Sequence, residues 1–264
     1  MTEERVNLPA LLETARESGL LSDHALSILL KADPIDLGII SPDGIRAREV
    51  TFAVVGADDS YSITDRGAGE FVAVGHNIGL VQSALDELGQ RAASRVFLVT
   101  KPFLGGLVNG FVPLVDPQLQ RLVLGTNYNP TGNRTPLYDI VGDLIAAVYA
   151  KWQQFRAARI KVRVFFAILS DGEDNGSCRF SDEDIHVLIT ELLQTGEVTF
   201  VGIGVGDMDF FRRVYSKMGI PMEWIRATDN TNGIVEVMRT ASSSLVSVSR
   251  GIRPTGFGEG GFDE

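Results

Sequence analysis

VRVFFAILSDGEDNGS, residues 162–177, carries two conflicting signals. Its first half is a continuous β-branched and aromatic run, the pattern of a strand buried on both faces. Its second half is a dense cluster of oxygen-bearing side chains. Taken alone, Asp171, Glu173, Asn175, Gly176 and Asp182 fall near the spacing of an EF-hand calcium loop. An EF-hand loop, however, follows a helix, favours Asp or Asn at its third position and ends on a bidentate Glu. Here a strand pattern precedes the cluster, the third position is Glu173 and the twelfth is Asp182. The cluster therefore reads as a loop at the carboxyl end of a buried strand.

The flanking sequence repeats that alternation. VTFAVVGA (50–57), RVFLVT (95–100) and VTFVGIGVG (198–206) are further buried-strand patterns, and MEWIRA (222–227) is a shorter one. GFVPLV (110–115) is weaker, and Pro113 puts it at an edge. Helical spacing appears over 76–93, with Ile78, Val81, Leu85 and Leu88 on one face. It recurs over 136–152 (Pro136 in the first turn), 182–193 (Ser181 as N-cap with Asp184 three residues on), 209–218 and 232–248. Strands alternating with helices predict an α/β fold: a doubly wound, mostly parallel central sheet with helices on both faces. Residues 1–47 read as an N-terminal helical extension, with two short helices over 8–32 (Ser22 capping the second) and an irregular connector. Residues 48–250 form the main domain. The stretch 251–264, with five glycines in fourteen residues and an acidic end, reads as a disordered tail.

Composition narrows the function. A formal net charge of −10, from 34 Asp+Glu against 24 Lys+Arg, repels phosphate backbones and argues against nucleic acid. Cys178 is the one cysteine, so no internal disulfide marks an oxidising compartment. The first residues lack an apolar signal core, and no apolar run reaches membrane-spanning length. The expectation is a cytoplasmic protein with no membrane contact. His24, His76 and His186 share no metal-ligand spacing and read as surface or helix histidines.

In a doubly wound sheet, ligands bind beyond the carboxyl ends of the strands, where the strand order reverses. After the first strand stand Asp58, Ser60 and Ser62, in the pattern D-x-S-x-S; before the 136–152 helix stands Thr135, in NRTPLYDIV; after the strongest strand stands Asp171, in ILSDGEDN. With these elements in this order, the chain resembles a von Willebrand factor A domain with a metal-ion-dependent adhesion site, over roughly residues 50–249. The resemblance implies an intracellular, bacterial-type member. It implies Ser60, Ser62 and Thr135 as direct ligands of Mg2+ or Mn2+, Asp58 and Asp171 acting through water or hydrogen bonds, and an open position for a partner's carboxylate. Hard hydroxyl and carboxylate oxygens suit those ions. Two departures stand out: Asn133-Arg134 replaces the glycines that more often precede the threonine, and Thr131 competes with Thr135 in the long polar segment 124–135. Glu173, Asp174 and Asn175 read as a solvated rim.

The function expected from the resemblance is non-enzymatic, metal-dependent protein binding in an intracellular assembly. The partner would offer an Asp or Glu carboxylate, and could be an AAA+ ATPase or a second copy of the chain. Glu259, Asp263 or Glu264 of the tail could reach the open metal position of a neighbouring molecule. Two alternatives differ in class. One is a structural, self-assembling protein whose extension and tail carry the contacts. The other is a phosphoryl-transfer hydrolase using Asp58, Thr100 with Lys101, and Asp171 with Asp174. Its first loop would need D-x-D, but Ser60 occupies the second position, so the general acid is missing.

Overall fold

The computed structural model describes residues 16, 19–33, 35–38, 40–65, 69–93, 95–115, 117–252 and 256. The helix expected before residue 19 and the tail beyond Ile252 lie outside the described residues, apart from Arg16 and Gly256.

Six strands form one sheet: β1 (Glu49–Ala57), β2 (Val96–Pro102), β3 (Asn109–Pro113), β4 (Lys161–Ser170), β5 (Val198–Val205) and β6 (Ile225–Thr228). Their order is β3-β2-β1-β4-β5-β6, with every pairing parallel except that of β2 with the edge strand β3. Pro113 closes that edge strand, where its missing N–H does least harm. The MEWIRA stretch contributes less than its sequence suggests. Met222–Trp224 is a 3-10 turn, and pairing starts at Ile225.

The helices are α1 (Asp23–Leu29), α2 (Tyr61–Asp65), α3 (Gly69–Val74), α4 (Ser83–Ala93), α5 (Leu137–Ala157), α6 (Asp182–Gln194), α7 (Met208–Lys217) and α8 (Thr231–Ser249). Helices α5 and α6 cover one face of the sheet, with α1 packed on both; α8 covers the other, against α4 and the segment before it. The α6 start forms a capping box: Ser181 Oγ accepts from Asp184 N at 3.1 Å, and Asp184 Oδ2 accepts from Ser181 N at 2.9 Å. Helix α1 is capped by Ser22 as expected and joins the main core through Ala25, Ile28 and Leu29. Polar ties hold it there: Ser22 Oγ donates to Glu191 (2.6 Å) and Lys31 Nζ to Asp184 (2.7 Å).

The expected 76–93 helix is different in detail. Between α3 and α4, residues Gly75–Gln82 wind as a π-helix. A β-carbon at Gly75 would lie 2.5 Å from Ile234, and one at Gly79 would lie 2.6 Å from the Val235 carbonyl. The contact face is thus set by two glycines pressed onto α8, which the apolar periodicity could not show. The wider winding also turns Ile78 outward, to 44% exposure, against the expectation of a core position.

Close packing of glycines recurs under α7. A β-carbon at Gly204 on β5 would run into the Phe211 ring, which is fully buried. Gly204→Ala is expected to destabilise the fold by about 1–3 kcal/mol through overpacking, read as a lower urea midpoint with unchanged slope.

Candidate metal centre

The sheet order reverses between β1 and β4: the chain goes from β1 to its neighbour on one side, and from β4 to its neighbour on the other. The register pairs Gly56 with Ile168 and Ala57 with Leu169, so the two strands end side by side. Asp58 N extends the ladder by one bond to Leu169 O, at 2.9 Å. The loops leaving these strands therefore splay apart over one crevice, the topological switch point of such a sheet.

Asp58, Ser60, Ser62 and Asp171 meet there in one hydrogen-bonded run. Ser60 Oγ and Ser62 Oγ share a hydrogen bond of 2.9 Å, and Ser62 Oγ donates to Asp171 Oδ1 at 2.9 Å. Both oxygens of Asp58 are engaged: Oδ1 accepts from Ser60 N (2.9 Å) and Oδ2 from Ser170 Oγ (2.7 Å). The Asp58 and Asp171 side chains are buried. Asp58 thus folds its own loop back and ties it to the end of β4.

Thr135 reaches the same loop cluster through its backbone. Its N–H donates to Asn175 Oδ1 at 2.6 Å, and its carbonyl accepts from Asn175 N at 3.1 Å. Thr135 is buried, whereas the competing Thr131 is exposed. Arg134 is exposed beside it.

The expected solvated rim, with Glu173 and Asn175 exposed and Asp174 half-buried, also bonds inward. Asp174 accepts from Ser177 Oγ (2.5 Å) and Tyr138 N (3.3 Å), and Asn175 holds Thr135; these side chains fasten the third loop to the start of α5. Glu173 is exposed. Farther along, buried Asp139 accepts from the backbone N–H groups of Cys178 (3.0 Å), Arg179 (3.0 Å) and Phe180 (2.9 Å). Burial pushes its carboxyl up, but those N–H groups and the Arg179 guanidinium outweigh it and hold it below the usual range. Arg179 in turn forms a bidentate pair with Asp143, at 2.6 and 2.8 Å.

Four further residues build the site without any motif signal. Ser170 binds Asp58, and Asn175 binds Thr135. Tyr128 is fully buried and donates its hydroxyl to the Asp58 carbonyl at 2.5 Å. Burial, with Asp58, Asp59 and Asp171 nearby, pushes its phenol far up, so it stays a neutral donor. Asp59 clamps the loop after β2, accepting from Leu104 N and Gly105 N at 2.8 Å each. Burial raises its carboxyl, an effect partly offset by those two bonds.

The groups that a phosphoryl-transfer site would need are engaged elsewhere. Thr100 Oγ1 meets His76 Nε2 at 3.0 Å, inside a buried network. Lys101 Nζ donates to the carbonyls of Pro102 (2.6 Å), Phe103 (3.3 Å) and Gly105 (2.8 Å). His76, expected on the surface or in a helix, lies in the π-helix and is 1% exposed.

The donor set suits a small hard cation. Two of its hydroxyl oxygens, Ser60 Oγ and Ser62 Oγ, lie 2.9 Å apart. The edge of an octahedron with metal–oxygen bonds of about 2.0–2.1 Å is roughly 2.9 Å. Among the described residues, no group of three or more His, Cys, Asp or Glu side chains is arranged to hold an ion. A cation held there would depend instead on hydroxyls.

The sequence matches no family model and no curated protein. Among solved structures, the fold is similar to that of proximal thread matrix protein 1 from the mussel byssus (14% identity, TM-score 0.50, 76% of this chain and 48% of that one). One structure of that protein carries a zinc-occupied MIDAS motif (14% identity, TM-score 0.50, 77% of this chain and 48% of that one). The pilus adhesin SpaC from Lactobacillus rhamnosus GG is similar at 10% identity and TM-score 0.50, over 77% of this chain and 30% of that one. The matched region spans about half of the mussel protein or less. The chain has a von Willebrand factor A-like α/β fold.

Proposed function

We propose that the chain is a non-enzymatic binding module that holds a divalent cation of the Mg2+ type over the β1–β4 crevice and accepts a carboxylate from a protein partner. The observation that carries this reading is the run of oxygens Ser60–Ser62–Asp171 at the switch point. Ser60, Ser62 and Thr135 would be the direct ligands. Asp58 would support them, since both of its oxygens already hold the loops in place. The bound ion supplies an electrophilic centre, because neutral hydroxyls neutralise little of its charge. Asp171 would orient Ser62, and Asn175 would fix Thr135 by its backbone. An intracellular assembly, as the resemblance implies, belongs to the same proposal. Among the described residues no helix is long and apolar enough to cross a membrane.

Thermal unfolding tests it. At about a hundredfold over its dissociation constant, Mg2+ or Mn2+ should add roughly 2.7 kcal/mol. The midpoint should then rise by roughly 5–10 °C in the wild type and far less in Thr135→Ala. A response to Ca2+ alone, undiminished in Thr135→Ala, would mean that the third loop acts by itself.

A further inference from the structure

Residues 31–33, just after α1, are bonded into the network that anchors the third loop. Asp143 Oδ1, on α5, accepts from Asp33 N at 2.8 Å and from Arg179 Nη1 at 2.6 Å. Arg179 Nη1 also donates to the Lys31 carbonyl at 3.4 Å and pairs with Asp33 Oδ2 at 3.3 Å. The Asp33 carboxylate is largely exposed, so the backbone of 31–33 carries most of this tie. Helix α1 seats the segment: Ala25, Leu26, Ile28 and Leu29 are buried, and the helix packs on α5 and α6.

From Arg179 the bonds run on to the candidate ligands. Arg179 N, with Cys178 N and Phe180 N, donates to Asp139, and Asp139 N donates to Ser177 Oγ at 2.9 Å. Ser177 Oγ donates to Asp174, and Asn175 holds Thr135 N. One loop, 171–180, therefore carries Asp171 at its start, the Thr135 anchor in its middle and Arg179 near its end.

We propose that docking of residues 23–33 of the N-terminal extension positions this loop, so that the seated extension and the bound ion stabilise one another; the proposal rests on the metal-binding reading above. With the extension seated, Asp33 N and the Lys31 carbonyl complete the partners of Asp143 and Arg179. With it released, the buried Asp143 loses a donor, Arg179 loses an acceptor, and water reaches their ion pair. The loop is then less organised before the ion arrives, and binding must order it. By reciprocity, an ion that prefers the organised loop favours the seated extension by the same factor.

Hydrogen exchange on the full chain, with and without saturating Mn2+, tests this. Amides of α1 should exchange ahead of those of β1 and β4, through release of the extension alone. Saturating Mn2+ should slow them about tenfold, the factor by which release weakens the hold on the ion. Leu29 is fully buried on α1. Leu29→Asp, which puts a charge into that seat, should raise the Mn2+ dissociation constant about tenfold while the sheet amides stay protected. The proposal is overturned by α1 amides that exchange no sooner than the sheet, or by α1 exchange that Mn2+ leaves unchanged. A folded Leu29→Asp chain that binds Mn2+ as tightly as the wild type also overturns it. Any of these results alongside Mn2+ binding by the wild type sinks only the coupling, whereas no Mn2+ binding sinks the metal reading as well.

Discussion

Replacing Asp139 by alanine is expected to cost about 3–5 kcal/mol, because it strands three backbone donors, that of Phe180 buried, and removes a carboxylate from the Arg179 cluster. For a chain of this size that is roughly a 6–20 °C fall in the thermal midpoint. The loss should not be local. Asp139 sits in the first turn of α5, four residues after Thr135, and its donors end the loop that starts at Asp171. The variant should therefore also lose the ion-induced stabilisation, although Asp139 belongs to no ligand set. Its pH dependence has a defined sign. The folded-state carboxyl is held below its ordinary value, so the stability it contributes is present above the unfolded value of about 4 and lost as pH falls through the folded one. Below pH 4 the wild type should lose stability more steeply than Asp139→Asn. Chemical denaturation across pH, on folded variants, checks both points.

Acidification should produce a second large effect, through His76. The ring is enclosed between Asn77 and Thr100, and burial pushes its pKa down to about 4. The unfolded chain binds the proton near pH 6.5, so between pH 6.5 and 4 the unfolded state takes up more protons than the folded one. Stability from this group is therefore complete above about pH 6.5 and falls as pH drops towards 4. The full difference corresponds to roughly 3 kcal/mol. His76→Gln should flatten the profile in that window while leaving the slope below pH 4, where carboxylates protonate. A wild-type profile already flat between pH 6.5 and 4 would show that the network opens to admit the charge.

His76 also shows why part of the structure was hidden in the sequence. A lone histidine carries no partner information, and its partner Thr100, itself bonded to Gln120, comes from another element. Gly75 and Gly79 were equally silent, because a glycine that permits close helix contact leaves no mark in an apolar pattern. By contrast, β1, β4 and β5 were legible because strands covered on both faces must be almost wholly apolar. Pro113 marked its own edge position, and Ser181 with Asp184 marked the α6 start, because both signals are local chemistry. At the site, Asp58, Ser60, Ser62 and Asp171 could be picked out from motif order and strand ends alone, and the fold brings them together. The residues that hold the loops could not be picked out. Asn175, Tyr128 and Asp59 bond backbone groups, and Ser170 the Asp58 carboxylate, all distant in sequence, and such bonds have no spacing rule. Asn175 is exposed and Asp174 half-buried, as a solvated loop would be, but their bonds to Thr135 and Ser177 were hidden for the same reason.

The most direct measurement is a Mn2+ titration followed by electron paramagnetic resonance, on the wild type and on a folded variant combining Ser60→Ala and Ser62→Ala. One bound ion per wild-type chain, its spectrum altered by an added carboxylate and its binding lost in the variant, is the expected result. A site that binds Mn2+ equally well without both serine hydroxyls would contradict a metal centre built on the β1 loop.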